Sequence, residues 1–363
     1  MILRKLNENL NEAEYLANIQ KNREACIQYI LAHQNGSTSS FPDECPEEIN
    51  PYIGEVELQN YEKYVIGTFP PISYMLDNEK IKEAYISSIK KPVKGREKKP
   101  KVNYYHGNKG SMWDLLLGNE FFNFDSDNEY TRAEKKQEIL NYLIENEINY
   151  SDIIYSTKRQ SYNPNDTSLK NIVIYTNLIK HIIENPKVDR ILFNTSSTFG
   201  TGGIKIHQNQ VQNGVLGRVN VKNNPNSFDL FFRACQDSGL RIELKVEDAI
   251  NNILLDWTEI SAENAAALNN QLRTKIIFKA RIIVPTNNQL ISNSEQIIKE
   301  FYVLTPFSPS LAALNLNNSP IVSNWLIQNP DGHRNELLKL IYNKFISFNQ
   351  EDKIFLMNLN IFY

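Results

Sequence analysis

The chain has 363 residues, of which 41% are hydrophobic and 22% charged, and its formal net charge is −3. This is ordinary globular material, long enough for one large domain or two modest ones, and near-neutral charge excludes a global field that draws it to nucleic acid; such binding needs a local patch. Cys26, Cys45 and Cys235 are scattered without a Cys-x-x-Cys pair, which argues against a zinc site, an iron–sulfur cluster or a disulfide framework, and no apolar run approaches the ~18 residues of a membrane span. A cytoplasmic monomer without metal, cofactor or membrane contact is the expectation.

Residues 8–33 alternate charged and apolar groups at helical spacing and end in Asn35-Gly36-Ser37-Thr38-Ser39-Ser40, a cluster of turn formers. Residues 35–60 then read as an irregular connector, so 1–60 forms a helical extension ahead of a main domain over 61–363. That domain opens on Tyr64-Val65-Ile66, a short apolar run of strand type that breaks into Gly67-Thr68-Phe69-Pro70-Pro71. A strand that ends in Gly and Pro turns at the edge of its sheet, and in open α/β sheets that edge is where ligands bind. Gly67 lets backbone approach a ligand, and the proline pair fixes the turn.

A helix-like piece near 78–89 leads into Lys90–Lys101, which holds seven basic residues and one acid. A like-charge run with Pro and Gly fits a solvated loop; beside a candidate site it also fits phosphate neutralisation by Lys94, Arg96, Lys98, Lys99 and Lys101. Tyr104-Tyr105-His106-Gly107-Asn108-Lys109-Gly110-Ser111-Met112-Trp113 follows, and its end starts a helix to Leu117. Arg132–Glu145 is a second amphipathic helix. Ile148–Tyr155 is a short β-branched run with Asp152 in its middle, Leu169–Ile183 carries helix signals, and Arg190–Thr195 is a third buried strand. Strand, helix, strand, helix, strand is the rhythm of a mostly parallel sheet covered on both faces.

Residues 200–300 break this rhythm. Phe228–Cys235 reads as helix, Leu240–Val246 and Lys275–Val284 as strands, and Glu247–Leu272 as mainly helical. Phe301-Tyr302-Val303-Leu304 restores a buried strand and runs into a second rigid turn, Thr305-Pro306-Phe307-Ser308-Pro309-Ser310-Leu311. Helices are predicted over 320–328 and 334–347.

These ordered segments resemble the uracil-DNA glycosylase superfamily, nearest its DNA-deoxyinosine glycosylase-like branch. Gly67–Pro71 looks like that branch's Gly-Ser-Phe-Pro-Ser turn, and Asn103–Trp113 like its aromatic segment, with both tyrosines and the Trp in register. Tyr150–Ile154 looks like its Asp-bearing strand, Phe193-Asn194-Thr195 like its Phe-Cys-Asn-Gly strand end, and Leu304–Ser310 like its second Pro-rich turn. The resemblance covers about 60–200 and 300–320. It implies a three-layer αβα sandwich around a mostly parallel sheet, with an α+β insertion at about 203–300, and a metal-free DNA glycosylase that leaves an abasic site.

By the same resemblance Asp152, His106 and Ser308 are catalytic candidates, while Gly67, Thr68, Phe69, Tyr104, Tyr105 and Asn194 bind the base. Ser310 and Leu311, or Leu314 in the wedge role, join the basic run on DNA. The chain departs from the family pattern at four points. Phe69 stands where many members carry a water-activating acid or amide, His106-Gly107 inverts Gly-His, Gly110-Ser111 replaces Asn-Arg, and Ser308 stands where several branches place His.

Physically, a flipped base needs an aromatic face, which Tyr104 and Tyr105 supply, and donors, which backbone N–H groups near Thr68 and Phe69 supply. An ionised Asp152 only accepts hydrogen bonds, so it prefers a base edge offering N–H, such as hypoxanthine N1–H or the amino group of cytosine. The insertion suggests room for a bulky base such as a hypermodified cytosine of phage DNA, hence an antiviral role. Alternatives are an inactive nucleic-acid binder of the same fold, or a metal-dependent nuclease using Asp229, Glu243 and Lys245.

Overall fold

The computed structural model describes residues 47–70, 101–159, 169–194, 227–285, 296–305 and 320–360, apart from single residues and short gaps within them, together with Ala17, Lys21, Glu24 and Ala25. Its first half runs β1 (Glu47–Ile49), β2 (Lys63–Gly67), α1 (Met112–Leu117), α2 (Glu129–Glu145), β3 (Ile148–Asp152), β4 (Ile154–Arg159), β5 (Leu169–Ile174), α3 (Thr176–Glu184) and β6 (Arg190–Phe193). The second runs α4 (Ser227–Asp237), β7 (Arg241–Glu247), β8 (Ile253–Glu259), β9 (Ile277–Val284), β10 (Gln296–Leu304), α5 (Pro320–Gln328), α6 (Arg334–Ser347) and α7 (Gln350–Asn358).

Seven strands form a central mixed sheet in the order β3-β2-β6-β10-β9-β7-β8. The first four are parallel to one another, and β9, β7 and β8 continue the sheet antiparallel. Both faces are buried, which is why the parallel strands read as unbroken apolar runs. Tyr64 and Ile66 of β2, with Ile191 and Phe193 of β6, enter one core with Leu178 of α3 and Phe231 of α4. Val65 and Leu192 enter the other, with Trp113 of α1, Ile139 of α2 and Tyr342 of α6. Helices therefore cover both faces, as the strand and helix rhythm predicts.

The sheet is more mixed than that rhythm implies, because the described part of residues 203–300 does not pack as a separate layer. Ile242, Leu244, Phe278 and Ile282 share one core with Tyr64 and Phe193, so β7 and β9 lengthen the same sheet beyond β10. Leu169–Ile174, expected to begin a helix, is a strand, and it pairs with β4 beside β1 in a second sheet of order β1-β4-β5. Ile148–Tyr155, expected as one strand, is divided at Ile153 between the two sheets. Ile253–Glu259, expected within a helical stretch, is edge strand β8, and a run with helical apolar spacing this short fits either form. β1 lies in the stretch read as connector, and α7 was not anticipated.

Taken in chain order, the four parallel strands sit 2-1-3-4. The β2 to β3 connection carries α1 and α2 on one face, and the β3 to β6 connection carries α3 on the other. The connections thus diverge between β2 and β6, and the crevice at the carboxyl ends of such strands is the expected ligand position. Gly67, Asp152, Asn194 and Thr305 all stand at that edge.

Lys275, just before β9, is buried, and burial lowers its ammonium from 10.5 to about 8. Below that value folded and unfolded chains both carry the charge, and burial penalises the fold. As pH rises from about 8 towards 10.5 the folded form releases its proton first, so stability rises with pH across this window. Lys275→Met is expected to remove that rise from melting curves recorded between pH 7 and pH 10.

Candidate functional site

At the divergence point β2 ends on Gly67, which pairs in register with Asp152 at the end of β3. Ile148 and Tyr150 face the core that holds Trp113, and strand alternation turns Asp152 to the same side. Its carboxylate is fully buried. A Cβ added to Gly67 would lie 2.2 Å from Asp152 Oδ1 and 3.6 Å from Tyr150 Oη, so glycine is required here by the approach of the carboxylate to the backbone. The strand ends stay coupled past the ladder, because Ile153 N–H donates to Gly67 O at 3.0 Å and Ile154 N–H to Thr68 O at 3.2 Å.

The second holder of this carboxylate comes from outside the expected site. Asn50, fully buried after β1, donates from Nδ2 to Asp152 Oδ2 at 3.0 Å and to Ile154 O at 3.3 Å. Its own Oδ1 accepts from Tyr52 N–H at 3.0 Å, and its backbone N–H donates to Tyr155 O at 2.8 Å. The sequence carried little signal for it beyond an Asn-Pro pair.

Five aromatic rings surround this pair. Tyr105 stands 4.7 Å from Tyr104, 5.0 Å from Tyr52 and 4.5 Å from Tyr150 between centroids. Trp113 lies 5.5 Å from Tyr150 and 6.3 Å from Tyr104, and its Nε1–H donates to Tyr105 O at 2.7 Å. Burial, with the nearby Asp152 charge as a lesser cause, raises the phenols of Tyr104, Tyr105 and Tyr150 well above the usual range. They remain protonated donors at any physiological pH. The Tyr104 hydroxyl is buried without a hydrogen-bond partner among the described residues.

Gly107 closes the turn that carries the two tyrosines. Its N–H donates to Tyr104 O and its carbonyl accepts from Val102 N–H, each at 2.8 Å, and a Cβ there would meet Val102 O at 2.3 Å. The tight turn that presents both tyrosines therefore needs glycine at 107.

No family model, curated protein or solved structure matches this chain.

The expected site residues fall into three groups. Gly67, Asp152, Tyr104 and Tyr105 are brought together, with Thr68 buried at the end of β2. Tyr104 and Tyr105 do not stand open as a stacking platform, though. They are 1% and 2% exposed, and neighbouring rings pack against them. Asn194 sits on the adjacent strand end, where its Oδ1 accepts from Tyr342 Oη at 3.2 Å.

The second group is placed differently. Phe69 packs with Ile153 and Ile154 into the core of the opposite face, so its ring is structural. Lys101 donates from its ammonium to Phe122 O at 2.6 Å and Phe124 O at 3.1 Å, which ties it to the segment before α2. The third group lies outside the described residues: His106, Lys94, Arg96, Lys98, Lys99, Ser308, Ser310, Leu311 and Leu314.

The alternative acidic constellation is not assembled. Asp229 lies on α4, whose apolar side packs on the face that receives Ile242 and Leu244, whereas alternation sends Glu243 and Lys245 to the opposite face. Glu243 is held by Arg241 at 2.8 Å and Arg281 at 2.7 Å, Lys245 by Glu247 at 2.6 Å and Asp229 by Arg233 at 2.9 Å. Among the described residues no three His, Cys, Asp or Glu side chains are grouped to hold a metal ion. No helix among them is long and apolar enough to cross a membrane.

Proposed function

We propose that the protein is a DNA glycosylase that excises an altered base presenting an N–H on its reading edge, a deaminated purine or a modified cytosine. The observation that carries this reading is the buried Asp152 carboxylate, seated over Gly67 at the divergence point of the parallel strands and ringed by protonated phenols. Helices on both faces of a sheet with four parallel strands support the uracil-DNA glycosylase-like three-layer fold that the motifs imply.

The chemistry follows from the groups present. Breaking an N-glycosidic bond places positive charge on the sugar and negative charge on the departing base. Asp152 accepts the base N–H and fixes its orientation. The Tyr104 hydroxyl, which lacks a protein acceptor among the described residues, donates to the base heteroatom where negative charge develops. Water activation is assigned to no group, since Phe69 is committed to the core.

Base excision needs no ion on this reading, so incubation with excess chelator is expected to leave it unchanged. Duplexes carrying uracil, hypoxanthine, cytosine or phage-type modified cytosines, treated with hot alkali after incubation, test the proposal. Breaks on hypoxanthine or a modified cytosine only after alkali support it, whereas breaks on uracil alone, or breaks without alkali, oppose it. Glu243→Gln is expected to leave those breaks unaltered, whereas a nuclease built on Glu243 would lose them.

The burial of Phe69 favours an inactive binder as the second reading. Binding to one of these duplexes with no alkali-labile product from either wild type or Asp152→Asn would establish it.

A further inference from the structure

We propose that Asn50 is a positioning residue for this site, so that the segment ahead of the glycosylase-like core is a working part of it. Asn50 is fully buried, and among the described residues three hydrogen bonds fix its amide in one orientation, two given by Nδ2 and one accepted by Oδ1, while its backbone N–H gives a fourth. The amide therefore presents Nδ2 to Asp152 Oδ2 and cannot rotate without leaving Tyr52 N–H or Ile154 O unsatisfied. With Oδ2 held, Oδ1 is the oxygen that lies over Gly67, 2.2 Å from where a Cβ would stand. A donor on Oδ2 also favours the charged carboxylate, the form that accepts a base N–H. Tyr52, two residues on, packs its ring 5.9 Å from Tyr104 and 5.0 Å from Tyr105, and the same segment pairs with β4 through β1. One short stretch thus orients the acid and backs the aromatic ring.

The inference takes its substrate from the glycosylase reading but its geometry from the fold alone, so the two can fail separately. Asn50→Asp keeps the acceptor for Tyr52 N–H and replaces the donor with a second carboxylate about 3 Å from the first; two acids so close share a proton. Among the described residues, the phenols of Tyr104, Tyr105 and Tyr150 interact with the Asp152 charge and are held protonated by burial, and the Tyr52 phenol packs beside them.

The acid limb of the kcat/KM profile is therefore expected to move up by roughly one pH unit or more, with activity recovering towards wild type on the alkaline side. Asn50→Leu removes the donor without adding charge and should lower kcat at every pH. Activity that falls equally at all pH values in Asn50→Asp, with no shift of the limb, would overturn the proposal and mark Asn50 as structural.

A second measurement needs no turnover. The carboxyl carbon of isotopically labelled Asp152, assigned with Asp152→Asn, is titrated by NMR in wild type and in Asn50→Asp. A higher midpoint in the variant supports positioning even if no base is ever released, in which case only the glycosylase reading falls. Equal midpoints overturn the positioning role while leaving that reading intact. Melting curves of both variants confirm that folded protein is being compared.

Discussion

Asp152→Asn is expected to slow base release by about 10²–10³-fold, the size of effect found when one transition-state contact is removed from a buried site. The amide is nearly isosteric. Its carbonyl oxygen can still accept from Asn50 Nδ2, which leaves its NH₂ in the position of Oδ1, over Gly67. A donor then meets the base N–H where an acceptor stood, and the loss appears in the chemical step while the fold is retained. Single-turnover rates on the preferred duplex, with melting curves alongside, check this. A rate within threefold of wild type would remove Asp152 from the site.

Gly67→Ala is expected to do comparable damage through geometry alone. The new methyl would sit 2.2 Å from Asp152 Oδ1, and this neighbour is pinned by Asn50 and buried on all sides, so it cannot swing away as a surface chain would. Overpacking of this kind costs about 1–3 kcal/mol, and it displaces the oxygen that the proposed mechanism uses. A double-mutant cycle separates this from a general weakening of β2. Asp152→Ala should cost less stability in the Gly67→Ala background than in wild type, because there it also removes the clash. Additive costs, with excision unaffected by Gly67→Ala, would mean that the Gly67 contact is incidental to function.

The two central residues were legible because their chemistry conflicts with their setting. Asp152 is an acid inside an apolar β-branched run, and Gly67 ends such a run at a proline pair; local pattern alone marks both as exceptions that need a reason. The parallel strands were legible from unbroken runs such as Tyr64-Val65-Ile66 and Arg190-Ile191-Leu192-Phe193, whose side chains are buried on both faces. Asn50 was not, since a polar residue in a connector differs from a hundred surface asparagines only through a partner 102 positions away.

The settings of Phe69 and Lys101 were illegible for a related reason: neither the turn pattern nor the basic run shows that the ring enters the far core or that the ammonium meets two carbonyls. Leu169–Ile174 has apolar positions that suit either period, and only pairing with β4 decides for a strand. Likewise, nothing local in residues 240–284 announces that these strands extend the main sheet; that follows from shared burial with Tyr64 and Phe193.

The most direct measurement is the chemical identity of what leaves the DNA. A duplex labelled in the candidate base is incubated with the protein in excess chelator, and the small-molecule fraction is resolved by mass spectrometry. A free base, with an intact sugar–phosphate strand and no such release by Asp152→Asn, is the result predicted. Release of a nucleotide, or the same free base from Asp152→Asn at the wild-type rate, would contradict it.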